Sequence, residues 1–385
     1  MKRLFGFMKK EAVLCVALLL AAVSACVVLP DREYMNYIDL RTLAILFSLM
    51  SVMAGLQKMG LFRRIACGLL KRVGSPVSLV MVLMLLCFFS AMLITNDVAL
   101  ITFVPFTFTL LEILGEEQRR KLALPVVAMQ TIAANLGSML TPIGNPQNLY
   151  LYGVSEMPMG SFVLLMLPYA VVSLIFLLIW ALMAGRSCKG GWSRGAEQLQ
   201  GQEAADFRSR PVLIRLIIYL VLFLLCLLAV AHVIPWQAVP LMVLLAILPM
   251  DPKVLAKVDY SLLLTFVGFF VFIGNMGRIP AFCDFLERAV AGRETYAAIA
   301  VSQVISNVPA ALLLSGFTNA YKELLIGVNL GGLGTLIASM ASLISYKYVA
   351  KEESSRKGKY ILIFTVSNLL FLAVLMGFHF LWRKV

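Results

Sequence analysis

The chain has 385 residues, 61% of them hydrophobic, a mean hydropathy of +0.92 and a formal charge of +13. Ordinary globular chains are about 45–50% apolar, so a soluble fold of this size has too little interior for this much Leu, Val, Ile, Phe and Met. The basic residues are scattered in short segments between apolar runs rather than gathered on one face, which argues against a nucleic-acid partner and fits the positive-inside rule.

Lys2, Arg3, Lys9 and Lys10 precede an apolar run over 12–29, and Val23-Ser24-Ala25-Cys26 imitates a lipoprotein cleavage site. The many hydrophobic segments that follow favour an uncleaved first crossing instead. Further crossings are predicted over 40–57, 122–152, 162–184, 212–231, 236–250, 260–277, 322–348 and 360–382, after a first one over 12–30. Apolar runs near 20 residues match a hydrocarbon core about 30 Å thick. The third and eighth of these nine segments are long and interrupted, and the sixth is short.

Two regions fit no simple crossing. Over 295–321 the apolar stretches flanking Ser306-Asn307 are about ten residues each, and at about 1.5 Å per residue each reaches halfway through a bilayer. This reads as a re-entrant helical hairpin entering from outside. Region 76–114, around Thr95-Asn96-Asp97, is its counterpart from inside; its longer arms leave two full crossings open, giving eleven in all.

The fold class is therefore an all-α polytopic membrane protein. Residues 1–34 form an N-terminal transmembrane helix, 35–184 a first repeat, 185–211 a cytoplasmic linker, and 212–385 a second repeat with extra leading helices. With the N-terminus cytoplasmic and the C-terminus periplasmic, only Arg32, Arg41, Arg278, Arg288, Arg293, Lys322, Arg383 and Lys384 of the 33 Lys and Arg residues fall outside. That bias sets the orientation in a bacterial-type inner membrane.

The internal repeat rests on three matches in one order. Asp39 opens an apolar run leading to Gly55-Leu56-Gln57-Lys58-Met59-Gly60-Leu61, and Asp259 opens another leading to Gly274-Asn275-Met276-Gly277-Arg278-Ile279. Short amphipathic segments follow, at 62–72 and 282–293, the first expected to lie along the cytoplasmic interface. Next come the polar breaks Thr95-Asn96-Asp97 and Ser306-Asn307-Val308-Pro309. Finally 135–145 aligns without gaps to 329–339, and in register Tyr152 meets Tyr346. An odd number of crossings separates the halves, so they point in opposite directions. Inverted repeats give a transporter two pseudo-equivalent conformations, one open to each side.

Backbone interruptions survive in hydrocarbon only where protein or a polar cavity covers them. Thr141-Pro142-Ile143-Gly144-Asn145-Pro146 cannot be regular helix, because both prolines lack a backbone donor. Freed carbonyls, the amides of the next half-helix and the side chains of Thr141, Asn145, Gln147 and Asn148 become available ligands. The second copy, around Thr335 and Ser339, replaces the prolines with Gly331, Gly332 and Gly334.

Asp97 is the one acid placed deep in an apolar region, with no Lys or Arg nearby in sequence. A carboxylate there is expensive and points to function: a coupling sodium ion, a carried proton, or competition between them. The bland alternative is a neutral or amide-paired carboxyl that only fixes the tip. Gln130, Asn135 and Asn329 also lie inside apolar segments, as passage lining or as interhelical braces. Candidate substrate or ion ligands are thus Thr95, Asn96, Asp97, Thr141, Gly144, Asn145, Asn148, Ser306, Asn307, Thr335 and Ser339, with a sodium site near Asn96, Asp97 and Asn145. Beyond sodium or protons no cofactor is expected: the seven cysteines show no metal-ligand spacing and His232 and His379 stand far apart.

Thr95-Asn96-Asp97, 141–148 and Ser306-Asn307-Val308-Pro309 resemble the ion-transporter superfamily. It includes citrate-transporter-like proteins, arsenite-efflux permeases, sodium/proton antiporters and divalent-anion/sodium symporters. The resemblance covers about 35–380. It implies inverted repeats with two re-entrant hairpins and two broken transmembrane helices, substrate and coupling ions at the tips and breaks, and a homodimer with elevator-like motion. The dicarboxylate branch carries Ser-Asn-Thr at both tips; the residues here are closer to the arsenite-permease and antiporter side. The leading expectation is secondary transport of a small ion, an inorganic or organic anion, coupled to sodium or protons. Cation/proton exchange is the alternative. A membrane enzyme lacks paired acids or an activated nucleophile, and a passive scaffold leaves the repeated breaks without a cause.

Overall fold

The computed structural model describes residues 11–70, 73–186 and 209–382. The basic N-terminal residues, Cys188, most of the expected linker, and Arg383 and Lys384 lie outside the described residues. Every regular element among those described is helical. In chain order they are α1 (Ala12–Val27), the one-turn α2 (Tyr34–Tyr37), α3 (Leu40–Lys58), α4 (Leu61–Leu70), α5 (Pro76–Ile94), α6 (Asn96–Leu114), α7 (Glu116–Ser138), α8 (Pro146–Ser155) and α9 (Met159–Arg186). The second half comprises α10 (Arg210–Val230), α11 (Ala238–Met250), α12 (Tyr260–Met276), α13 (Pro280–Val290), α14 (Glu294–Ile305), α15 (Asn307–Ser315), α16 (Tyr321–Gly331), α17 (Met340–Glu352) and α18 (Lys357–Trp382).

Six of these segments are long and apolar enough to cross a membrane, and α12 with α13 adds a seventh if that bent pair is one span. Large apolar side chains on α9, α10 and α18 point outward, among them Leu164, Ile175, Leu213, Leu224, Leu362 and Leu370. In water such a surface would be unfavourable by about 25 cal/mol per Å²; against lipid it costs nothing. The chain is a multi-pass membrane protein.

Local chemistry explains the element boundaries. Asp39 caps α3 through Thr42 N at 3.0 Å, and Asp259 caps α12 through Leu262 N at 3.0 Å, each cap contributing about 1 kcal/mol. Ser75 and Ser78 form a reciprocal capping box at the start of α5, with Pro76 in the first turn where its missing donor is harmless. The amphipathic segments expected after α3 and α12 are α4 and α13, and α13 turns 106° away from α12.

Two expectations shift in detail. Helix α7 begins at Glu116, six residues before the expected crossing, because Gly115 (φ 101°) turns the chain and Glu116 and Glu117 favour a helix N-terminus. The charges at 116–121 had read as loop. Both long segments are broken as expected: α7 and α8 are separated by 139–145, and α16 and α17 by 332–339. Helices α5 and α6, with 19 residues each, extend about 28 Å. That is the length of full crossings, the alternative left open for this region. Helices α14 and α15, with 12 and 9 residues, are too short to cross.

Packing gathers most helices into two groups, which meet where α12 lies on α15 and α8 on α3. Helix α1 packs along α12, while α10 and α11 pack on α3. The α5–α6 and α14–α15 pairs, both broken segments, α9 and α18 form the other group, with α7 at its centre. From Leu122 to Ser138 nearly every side chain of α7 is buried, including Gln130, Thr131, Asn135 and Ser138.

Candidate functional site

The two polar tips share an unusual backbone. Thr95 has φ 71°, ψ 152° and Ser306 has φ 77°, ψ 156°. This region is essentially reserved for glycine and costs about 1–3 kcal/mol per residue. Thr95 lies between α5 and α6, Ser306 between α14 and α15, 211 positions apart.

Each tip is tied to the following break by matching bonds. Asn96 N donates to Gly144 O at 3.1 Å, and Asn307 N donates to Ala338 O at 2.9 Å. Thr141 Oγ1 donates to Met92 O, and Thr335 Oγ1 donates to Gln303 O at 3.4 Å. In both pairs the hairpin residues are 211 positions apart and the break residues 194, the register in which 135–145 aligned to 329–339. The glycines obey it too. A Cβ on Gly137 would sit 2.0 Å from Phe88 O, and one on Gly331 would sit 3.1 Å from Ile299 Cα. Gly144 is equally constrained, since a Cβ there would lie 2.0 Å from Ser138 O.

A further pair joins the halves to each other. Asn145 Nδ2 donates to Asn329 Oδ1 at 3.2 Å, and Ser339 Oγ donates to Asn135 Oδ1 at 3.1 Å. Asn145 corresponds to Ser339 and Asn135 to Asn329 in the same register. Asn96 Nδ2 also donates to Asn135 Oδ1 at 3.0 Å, and Ser306 Oγ to Ala338 O at 3.4 Å. Asn145, Asn148, Ser306, Asn307, Ser339 and Asn96 are all buried. One polar network therefore connects both tips and both breaks inside an apolar shell.

The broken-helix ends are capped within this network. Asn145 Oδ1 accepts from Asn148 N at 2.9 Å, and Asn148 Nδ2 braces the carbonyls of Ser138, Met139 and Thr141 at 3.2–3.3 Å. Asn148 Oδ1 accepts from Asn329 Nδ2 at 2.7 Å.

Asp97 occupies the first turn of α6, where a helix N-terminus favours a carboxylate. Its amide donates to Asn96 Oδ1 at 2.9 Å, while its buried Oδ1 has no hydrogen-bond partner among the described residues. A buried acceptor left without a donor costs about 1–3 kcal/mol or more. Of the expected sodium ligands, Asn96 Oδ1 accepts from Asp97 N and Asn145 Oδ1 from Asn148 N, which leaves Asp97 Oδ1 as the oxygen open to a small hard cation. Among the described residues no group of three or more His, Cys, Asp or Glu side chains could hold a metal ion.

Not every expected residue joins the centre. Thr335 is exposed at the edge of its break. Gln130 braces α7, accepting from Thr107 Oγ1 at 3.1 Å and donating to Leu83 O at 3.4 Å. Asn135 and Asn329, expected as passage lining or interhelical braces, hydrogen-bond to other segments, Asn135 to Asn96 and Ser339, and Asn329 to Asn145 and Asn148. Gln303 escaped the sequence reading altogether; aligning 92 with 303 would have exposed it as a polar residue facing a break where the first half has methionine.

Comparison with known proteins gives the family. Residues 4–322 match the family described as citrate transporter. The chain belongs to that family. It is 31% identical over 318 residues to the inner membrane protein YbiR of Escherichia coli (strain K12), covering 80% of each chain. It is 30% identical over 357 residues to the uncharacterized transporter MJ0456 of Methanocaldococcus jannaschii, covering 91% of this chain and 92% of that one. A shorter likeness, 30% over 183 residues, links it to the silicon efflux transporter LSI3 of Oryza sativa subsp. japonica, across 46% of this chain and 36% of that protein. As in the rest of the family, the role is membrane transport rather than catalysis.

Proposed function

We propose that this family member is a secondary active transporter of a small anion, inorganic or organic, coupled to sodium or protons. The network of Asn96, Asn135, Asn145, Asn329 and Ser339 carries this reading. It places amide donors and carbonyl oxygens, without a fixed basic side chain, where four interrupted backbone segments meet. Such a site favours an anion through amides and half-helix N-termini and a cation through oxygens.

In the same reading the halves, 35–184 and 212–385, are inverted repeats, with α5–α6 and α14–α15 as the tip-bearing hairpins. The matching bonds at constant register support this. The N-terminus is cytoplasmic and the C-terminus periplasmic, in an inner membrane. The α1–α3 and α10–α12 group serves as a stationary frame and dimer contact, and the group around α7 carries the solute past it. The amphipathic α4 and α13 are the joints.

Thermal stabilisation of the purified protein by sodium, lithium, arsenite, phosphate, sulfate, citrate or succinate tests the substrate class, because a bound ligand raises the apparent Tm. Stabilisation by no anion at saturating concentration would sink it.

The unpartnered Asp97 Oδ1 favours a second reading, cation/proton antiport with Asp97 alternating between proton and cation. Sodium or potassium pulses on vesicles holding a pH dye separate the two. Proton movement that needs no anion supports antiport, and none argues against it.

A further inference from the structure

Gln303 lies on α14, three residues before the second tip, and its side chain reaches into the second break. Its Nε2 donates to Gly331 O and to Leu333 O, both at 2.9 Å. Its Oε1 accepts from Thr335 N at 2.9 Å. Gly334, at φ 110°, makes room for it: a Cβ there would stand 2.3 Å from Gln303 Oε1. One amide group thus bridges hairpin and break by satisfying two carbonyls and one amide at once.

Among the described residues the first half has no such bridge. Met92 stands at the corresponding position and offers only its backbone carbonyl, to Thr141. The carbonyls of the first break are braced by Asn148, a side chain of the broken segment itself rather than of the hairpin. Two residues after Thr95, at the first tip, Asp97 keeps an unpartnered buried carboxylate oxygen, whereas the position after Asn307 is Val308.

We propose that Gln303 is a positioning residue that takes, at the second seam, the place a bridging cation would take, so that any coupling cation binds only at the first. A positively polarised N–H group between two carbonyl oxygens does the electrostatic work of a small monovalent cation, without needing one to bind or leave. The second hairpin and break then move as one piece in every state, and cation-dependent closure is confined to the seam carrying Asp97. This inference rests on the transport reading above and adds to it a single, asymmetric ion site.

The test is thermal unfolding of the purified full-length protein in detergent, in sodium chloride against choline chloride at equal ionic strength. Glu in place of Gln303 sets a carboxylate against Gly331 O and Leu333 O, which repel it unless a cation lies between. Q303E is expected to lose about 5 °C of apparent Tm in choline and to regain most of it in sodium, by ligand linkage. The double variant Q303E/D97N should keep that sodium response, while D97N alone should lose the response of the wild type. Q303M, which copies the first half, should be less stable than wild type in both salts. A Q303E protein with no sodium response beyond that of wild type would overturn the proposal, as would a Q303M protein of wild-type stability. If Q303E does not yield folded protein, amide hydrogen exchange on Q303M decides: protection at Thr335 should fall while that at Thr141 stays, and equal protection at both would overturn it. A sodium response in Q303E but in neither wild type nor D97N would sink sodium coupling and leave the role of Gln303 standing.

Discussion

Asn145 Nδ2 lies 3.2 Å from Asn329 Oδ1, and this bond has a twin of equal length, within 0.1 Å, in Ser339 Oγ to Asn135 Oδ1 at 3.1 Å. Each bond joins the last residue of one break to the last helical turn before the other break. The two halves hold each other at the point where each is interrupted.

Removing one side of such a bond leaves a buried amide unpaired, so Asn145→Ala and Asn329→Ala should each cost about 1–3 kcal/mol. Because the two residues share one interaction, the double variant should cost less than the sum. Denaturation of all three proteins in detergent measures the coupling; strictly additive losses would show that the bond contributes nothing.

Asp97→Asn changes charge at a carboxylate whose Oδ1 has no hydrogen bond to lose. The fold should survive, with an apparent Tm unchanged or raised, while ion-coupled transport falls by tenfold or more, about 1.4 kcal/mol or above in barrier terms. A large loss of stability with normal transport would make Asp97 structural.

Ser306 is held in a backbone region that only glycine occupies freely. Ser306→Gly should therefore stabilise the protein by about 1 kcal/mol, and Ser306→Ala, which keeps the strain, should not. If the two variants have the same melting temperature, the tip is not strained.

The paired glycines should respond unequally. A Cβ at position 137 meets the backbone oxygen of Phe88 at 2.0 Å, which cannot swing away, whereas at 331 the nearest atom is the Ser302 hydroxyl at 2.6 Å. Gly137→Ala should cost about 3 kcal/mol or more, and Gly331→Ala about 1–2 kcal/mol. Thermal unfolding ranks them, and the reverse order would contradict the seam geometry.

Where the N-terminus of α3 meets the C-terminus of α10, Arg41 Nη2 lies 2.6 Å from His232 Nε2, and Tyr152 packs edge-on to the same ring. Burial, and then the charge of Arg41, hold the imidazole pKa below its ordinary value of 6.5. The fold thus prefers neutral His232, so this contribution is complete above pH 6.5 and is lost as the pH falls through the lowered value. His232→Gln should flatten the pH dependence of Tm between about pH 7 and 5; an unchanged slope would place it elsewhere.

Much of this molecule was legible before its structure. Apolar runs marked the long helices α3, α9, α10 and α18 to within a few residues, and Thr141-Pro142-Ile143-Gly144-Asn145-Pro146 announced a broken helix because two donors are missing. The register in which 135–145 aligns to 329–339 also relates the matching bonds of the two breaks. What sequence could not supply were contacts made by reach rather than by spacing. Gln303 looks like any polar residue of a short helix until its amide is seen across the second break. Asn135 and Asn329 read as braces because nothing in one strand of text says that they meet the other half. The start of α7 was missed for another reason: its first turn is charged, and hydropathy reads charge as loop even where Gly115 and two glutamates begin a helix.

The central claim is that the tips and breaks of the two halves form one solute site. Counterflow of radiolabelled citrate, phosphate and arsenite into proteoliposomes, with and without sodium, tests it most directly in wild-type, D97N and N145A proteins that retain their fold. The expected result is counterflow of at least one of these ions by the wild type and its loss in both variants. Wild-type rates in both variants would contradict it.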